Sequence, residues 1–264
     1  MDTASPCISP EELAAILGGA AAPLVLDVRR EERFVESDRM LPGALRCPPG
    51  QVARFAASRQ RPGEVIVYCV HGLEIGEQAA AQLRAAGWNA RYLQGGFEAW
   101  TQRSLPSLRK RPDLGVPGER PSRWITRERP KIDRIACPWL VRRFIDREAE
   151  FFYVPVQTVL EEAKRLSAVA YDIAGAPITH DGEFCSFDAL LRAFDLQEPA
   201  LSALARIVRG ADTDRLDLTP QSAGLLAVSR GLSRLYANDH SMLDAAMPVY
   251  DALYAWCRSE GRPA

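Results

Sequence analysis

The chain has 264 residues, 47% of them apolar, with 33 basic side chains against 34 acidic ones. At roughly 100–200 residues per domain this length favours two domains. The near-cancelling charge excludes a global basic field for gripping nucleic acid or an anionic membrane, and the ordinary apolar share excludes a disordered chain.

In chain order, Pro10 to Leu17 is predicted to be a helix, with Ser9 as N-cap and Pro10 at its first position. The longest uncharged stretch, Leu13 to Leu26, is broken by Gly18, Gly19 and Pro23. It falls short of the roughly 18–20 apolar residues a membrane span needs. The start, Met1-Asp2 with Glu11 and Glu12 behind it, lacks the basic and apolar regions of a secretory signal, so a cytoplasmic location is expected. Leu24 to Val28 and Val65 to Tyr68 are short apolar runs of the kind that form strands buried on both faces. A helix follows over Glu77 to Ala86, then a strand over Arg91 to Leu93. Strands alternating with helices predict a parallel α/β sheet.

Residues 103–122 are rich in proline and arginine and carry no sustained periodicity, which is a linker composition. The predicted division is therefore a first domain over 1–102, a linker, and a second domain over 123–264. The second half is mainly helical in pattern. A helix over Ile132 to Ile145 must bend or restart at Pro138. A strand at Phe151 to Val154 precedes helical patterns at 156–166, 187–194, 201–208, 222–232 and 242–257. In the last of these, Leu243, Met247, Tyr250 and Tyr254 form one stripe, as a core-facing helix would.

Six cysteines stand at positions 7, 47, 69, 137, 185 and 257, with no CxxC pair, as expected of free thiols in a reducing compartment. Cys69 is the chemically pointed one. It follows the Val65–Tyr68 strand and precedes Val70-His71-Gly72-Leu73-Glu74-Ile75-Gly76 and a helix. Ligands bind at the carboxyl ends of strands in open α/β sheets. A tight loop and a helix N-terminus there stabilise a thiolate or persulfide. An inert buried cysteine ending a strand fits the spacing equally well.

The surrounding motifs resemble the rhodanese family of sulfurtransferases. Leu26-Asp27-Val28-Arg29 with Glu31-Glu32-Arg33-Phe34 is similar to the family's opening segment. Leu41-Pro42-Gly43-Ala44 is similar to its turn, and Tyr68-Cys69-x-x-Gly72 to its active-site strand and loop. Leu83-x-x-x-Gly87-Trp88 and Leu93-x-Gly95-Gly96-Phe97-x-x-Trp100 resemble its closing signature. The resemblance implies a Cys69 persulfide relay, with the backbone amides of Val70, His71, Gly72, Leu73, Glu74 and Ile75 around the sulfur. It makes His71 a candidate base or proton donor, although an exposed loop histidine fits as well. Many relatives carry Arg, then Ser or Thr, where this chain has Glu74 and Ile75. The exchanged charge disfavours a dianionic donor such as thiosulfate and favours a polysulfide or persulfide, with a thiol as acceptor. It also argues against a Cys-x5-Arg phosphatase, since position 75 is Ile.

In the second half, Lys131, Arg134, Arg142 and Arg143 surround a turn bearing Cys137 and Trp139. Lys131, Arg134 and Arg142 are candidates for binding an oxyanion; solvated charge and internal ion pairs are the alternative. This half, Trp124 to about Cys257, resembles the ChrB-type domain of chromate resistance. The likeness is carried by Ile173-x-Gly175, His180-Asp181-Gly182-x-Phe184-Cys185-x-Phe187-Asp188, Ile207-Val208-Arg209-Gly210-Ala211-Asp212-Thr213 and Val249-Tyr250-Asp251-Ala252-Leu253-Tyr254-x-Trp256-Cys257. It implies a role in chromate sensing or resistance, with chromate or another oxyanion as ligand. His180, Glu183 and Cys185 offer N, O and S ligands for a divalent metal, with Asp181, Asp212, Asp239 and His240 as possible additions; an ordinary His-Asp-Gly loop is the alternative. Cys137 and Cys185 are also candidate acceptors of sulfur from Cys69. Two functional readings follow: a sulfurtransferase linked to chromate resistance, or an oxyanion- or metal-binding sensor without sulfur turnover.

Overall fold

Short apolar runs separated by helices build a parallel sheet in the first of two units. The computed structural model describes residues 5–60, 63–118 and 120–260. One unit holds the residues up to Lys110 together with Arg143–Asp146; the other holds Arg111–Arg142 and the residues from Arg147 onward.

The first unit runs β1 (Cys7–Ile8), α1 (Pro10–Ile16), β2 (Leu24–Asp27), α2 (Glu31–Glu36), β3 (Arg39–Met40), β4 (Ala44–Arg46), α3 (Val52–Ser58), β5 (Glu64–Tyr68), α4 (Glu74–Ala85), β6 (Asn89–Leu93), α5 (Gly96–Gln102) and β7 (Leu108–Arg109). Five strands pair in parallel in the order β1-β6-β5-β2-β4. All four residues of β2 are buried, as its unbroken apolar run requires. Leu26, Val65, Val67, Ala80, Leu83 and Trp88 fill the core between sheet and helices. Ser9 caps α1 as predicted: its hydroxyl accepts the Glu12 amide at 3.2 Å, and Glu12 accepts the Ser9 amide at 2.9 Å.

Two expectations change. The helix predicted from Glu77 begins three residues earlier, at Glu74. The 103–122 stretch is packed in both of its parts. β7 pairs antiparallel with β3 and buries Leu108. In the second unit, Arg111 and Val116 bridge around a 3-10 turn at Pro112–Leu114, with Leu114 and Val116 buried. Single apolar anchors between prolines give no periodicity, so composition alone reads as a tether.

The second unit contains β8 (Arg123–Arg127), α6 (Asp133–Leu140), β9 (Glu150–Val154), α7 (Val159–Leu166), β10 (Val169–Ala170), α8 (Ser186–Ala193), α9 (Pro199–Asp212), α10 (Pro220–Leu235) and α11 (Asp239–Glu260). It is mainly helical with a small parallel sheet, β10-β8-β9. α7 covers that sheet through Val159 and Ala163 on Ile125 and Ala170. Helix α9 packs on α10 and α11, and α6 packs on α8 and α11. The stripe Leu243, Met247, Tyr250 and Tyr254 is buried as core.

Pro138 does not break its helix. It removes the amide that would bond the Arg134 carbonyl; the Tyr171 hydroxyl donates to that carbonyl instead, at 3.2 Å. Beyond Pro138 the coil widens into a π-turn at Val141–Ile145. No helix among the described residues is long and apolar enough to cross a membrane.

Candidate functional site

β2 and β5 lie side by side in parallel, with Asp27 opposite Tyr68. Their carboxyl ends therefore open at one edge of the sheet, and the residues that follow each strand become neighbours. Cys69, Val70, His71, Leu73, Glu74 and Ile75 from one strand end share a cavity of about 260 Å³ with Arg29, Arg30 and Arg33 from the other.

Cys69 is buried, and its sulfur lies 3.4 Å from where a Cβ on Gly76 would stand. It therefore sits against the first turn of α4, where free amides and the helix dipole favour an anion. Among the described residues, the amides of Val70 through Gly76 donate to no other protein group. The neighbouring carbonyls are engaged elsewhere: the Cys69 carbonyl accepts from Phe97 N and the Val70 carbonyl from Glu98 N, both at 2.9 Å. The loop is thus clamped by the first turn of α5. Close approach there needs Gly72 and Gly96, both at positive φ; a Cβ on either would come within 2.5 Å of backbone atoms.

Below the loop lies a buried polar triad. Arg29 Nη2 donates to Asp27 Oδ2 at 2.6 Å, and Tyr68 Oη donates to the same oxygen at 2.7 Å. Tyr68 Oη also accepts the Leu41 amide at 3.2 Å, and Arg29 stacks on Phe97 at 4.4 Å. Burial and the adjacent Asp27 charge push the Tyr68 hydroxyl well above its ordinary pKa, so it stays a donor. The triad fixes the strand ends from which the cavity is built.

His71 is on the rim, 58% exposed, with Nδ1 2.7 Å from Glu98 Oε2. Glu74 is the first residue of α4, exposed, and accepts from Gln78 at 3.1 Å. Glu74 shares the cavity with arginines from the other strand end, which its local motif does not reveal. Arg30 and Arg33 are exposed on the cavity wall, and Arg33 pairs with Glu36 at 2.7 Å. A signal for them exists: a basic run directly after a buried strand that parallels the cysteine strand.

In the second unit, His180 Nε2 lies 3.3 Å from Asp133 Oδ2, 3.2 Å from Asp172 Oδ1 and 3.1 Å from Asp212 Oδ2. The Asp133 hydrogen bond and nearby acids push His180 up to about 9. Burial and Asp133 push Asp212 up to about 8 and Asp172 up to about 6. Glu183 and Cys185 do not join this group. Glu183 is exposed, and Cys185 caps α8, its sulfur 3.4 Å from Asp188 Oδ2.

Residues 124–257 match the family described as ChrB, C-terminal domain, which is just over half of the chain. The chain belongs to the ChrB C-terminal domain family. Residues 9–103 match the family described as rhodanese-like domain. Protein ChrB of Cupriavidus metallidurans is 35% identical over 134 residues, covering 50% of this chain and 39% of that protein. Among solved structures, a protein from Rhodopseudomonas palustris described as a possible tyrosine phosphatase is 25% identical, covering 38% of this chain and 82% of its own, with a TM-score of 0.33. A thiosulfate sulfurtransferase from Pseudomonas aeruginosa is 26% identical over 38% of this chain and 19% of its own, with a TM-score of 0.34.

Within the ChrB C-terminal domain, the proposed oxyanion cluster does not assemble. Arg134 Nε lies 3.0 Å from Asp172 Oδ2, and Arg142 Nη1 lies 3.3 Å from Asp244 Oδ1. Lys131 points to the exposed surface before α6. Eight residues separate Arg134 from Arg142, a rise of about 12 Å along a helix, and each arginine has its own carboxylate. Arg143 belongs to the stretch grouped with the first unit. Cys137 and Cys185 are buried, and burial with the nearby Asp133 charge pushes both thiols well up. That disfavours the thiolate a sulfur acceptor needs.

Proposed function

We propose that the first unit is a rhodanese-type sulfurtransferase that carries sulfur as a persulfide on Cys69, in a protein that serves chromate resistance. The observation that supports this most is the Cys69 sulfur at the first turn of α4, followed by a loop whose amides have no other partner among the described residues. Free amides turned toward that sulfur would stabilise the negative charge of a thiolate or persulfide without any side-chain cation.

In the first step the Cys69 thiolate attacks the outer sulfur of a persulfide, R–S–SH. The S–S bond of the donor breaks, RS⁻ leaves with the electron pair, and a new S–S bond forms at Cys69. In the second step an acceptor thiolate attacks the outer sulfur, takes it, and returns Cys69 to the thiolate. Nothing is oxidised or reduced overall. Arg30 and Arg33 draw an anionic donor into the cavity, and Glu74 opposes a dianion. A polysulfide or small persulfide suits that balance better than thiosulfate.

Intact mass after treatment with polysulfide, and separately with thiosulfate, tests this on wild type and Cys69→Ser. One added sulfur in wild type only, strongest with polysulfide, is the expected result. Failure of both donors to load Cys69 overturns the reading.

A further inference from the structure

We infer that Asp133, His180 and Asp212 bind one divalent first-row transition cation. Three carboxylates converge on the single nitrogen His180 Nε2, at 3.1 to 3.3 Å. A ring nitrogen carries at most one hydrogen, so it satisfies one of these acceptors and leaves two. One ligand atom from each of Asp133, His180 and Asp212 lies within 4.8 Å of the others. Ligands about 2.0–2.2 Å from a cation stand roughly 3–3.6 Å from one another, a spacing that the His180–Asp133 and His180–Asp212 separations already match.

A second observation points to a ligand independently. Asp133 is fully buried, and its Oδ1 has no hydrogen-bond partner among the described residues. Its other oxygen accepts the Ser186 amide at 3.1 Å and faces His180. An orphaned oxygen on a buried carboxylate is costly unless something cationic meets it.

The charge balance agrees. Both arginines near the cluster serve Asp172: Arg134 at 3.0 Å and Arg127 at 3.8 Å from its Oδ2. Asp172 Oδ1 also accepts from the Ser186 hydroxyl at 2.9 Å. Asp172 is therefore satisfied by the protein, while among the described residues the imidazole is the only cationic group paired with Asp133 and Asp212. Asp172 also faces His180 Nε2, at 3.2 Å, but its arginines and Ser186 set it apart from the ligand set.

The chain places these groups at a cost. Asp133 follows Ile132, a β-branched residue at φ +46, a strained position. The Ile132 amide donates to Ser229 Oγ at 3.0 Å, and its carbonyl accepts from Tyr250 Oη at 2.7 Å. Two buried side chains thereby hold the bend that aims Asp133. The far side of the cluster is open: the His180 side chain is 38% exposed and Asp212 15%, which leaves a path for an ion.

One imidazole with carboxylates is a borderline-hard donor set. It suits Mn²⁺, Fe²⁺ or Zn²⁺ better than Mg²⁺ or Ca²⁺, which prefer oxygen alone.

Mn²⁺ is the probe. The full chain is stripped with chelator and titrated with Mn²⁺, following loss of the free-ion EPR signal, and Zn²⁺ is then added as competitor. The expected result is one Mn²⁺ per chain, displaced by Zn²⁺, with Mg²⁺ binding at least about tenfold weaker. His180→Gln and Asp212→Asn should each weaken Mn²⁺ by about tenfold or more. Circular dichroism checks folding, and His180→Gln decides if the more buried Asp212→Asn fails to fold. Folded wild type that binds neither Mn²⁺ nor Zn²⁺ overturns the site, as does binding that His180→Gln leaves unchanged.

Discussion

Gly96 stands directly behind the Cys69 carbonyl: a Cβ there would come within 2.5 Å of that oxygen. The closeness lets the Phe97 amide reach the same carbonyl at 2.9 Å. The paired glycines that close the rhodanese-like sequence thus act at a distance in the chain, locking the loop that frames the cysteine. Gly96→Ala combines a backbone clash with strain at φ +59. It should destabilise the first unit by about 2–3 kcal/mol, read by chemical denaturation, and should slow Cys69 loading where the protein still folds. Unchanged stability would mean that the loop relaxes freely.

The Asp27–Arg29 pair lies one layer deeper and is fully buried. Removing one member leaves the other charge without a partner. Asp27→Ala should therefore cost about 3–5 kcal/mol, and Tyr68→Phe only about 1–3 kcal/mol, for one lost hydroxyl and an orphaned Leu41 amide. Chemical denaturation that ranks the two the other way would show that Tyr68, and not Asp27, organises the strand ends.

The Cys69 loop was legible in the sequence because its elements are local: a short apolar run, a cysteine and a glycine-bearing turn follow one another. Its arginine wall was not, because Arg30 and Arg33 come to share a cavity with Cys69 only through the parallel pairing of β2 with β5. The same distinction holds in the second unit. His180 was a candidate with Glu183 and Cys185, and Asp212 was among the possible additions; Asp133, distant in sequence and outside that set, was not legible. Arg134 looked like an anion ligand because spacing shows a cation and hides the Asp172 carboxylate folded onto it. Short helices such as α2, which buries none of its residues, leave no periodicity to find.

The arginine wall makes a kinetic prediction. Arg30→Glu with Arg33→Glu should slow Cys69 loading by polysulfide roughly threefold to tenfold at low ionic strength, with the difference shrinking as salt rises. Both side chains are exposed, so the melting temperature should hardly move. Rates insensitive to the charge reversal would remove electrostatic capture of the donor from the scheme.

Thiol chemistry separates the cysteines by environment. Burial pushes Cys47 and Cys257 up to about 11 and moves Cys137 and Cys185 upward as well. At neutral pH these four should stay as neutral thiols and resist iodoacetamide in the folded protein. Cys69, on its cavity, and Cys7, only partly buried, should be the labelled positions. Peptide mapping after native labelling checks this, and modification of Cys185 ahead of Cys69 would contradict it.

Pro138 and Tyr171 offer a coupled test of how α6 tolerates its proline. The Tyr171 hydroxyl donates to the Arg134 carbonyl at 3.2 Å, the group that a residue-138 amide would otherwise engage. Tyr171→Phe should therefore cost about 1–3 kcal/mol by leaving that carbonyl without a donor. Pro138→Ala restores an amide in register with it. In the Pro138→Ala, Tyr171→Phe double variant the new amide takes over, so the cost of losing the hydroxyl should fall well below its value beside Pro138. A double-mutant cycle reads this as a coupling of about 0.5–3 kcal/mol. Strict additivity would mean that the two groups do not compete for one carbonyl, and that α6 is held through its buried apolar face alone.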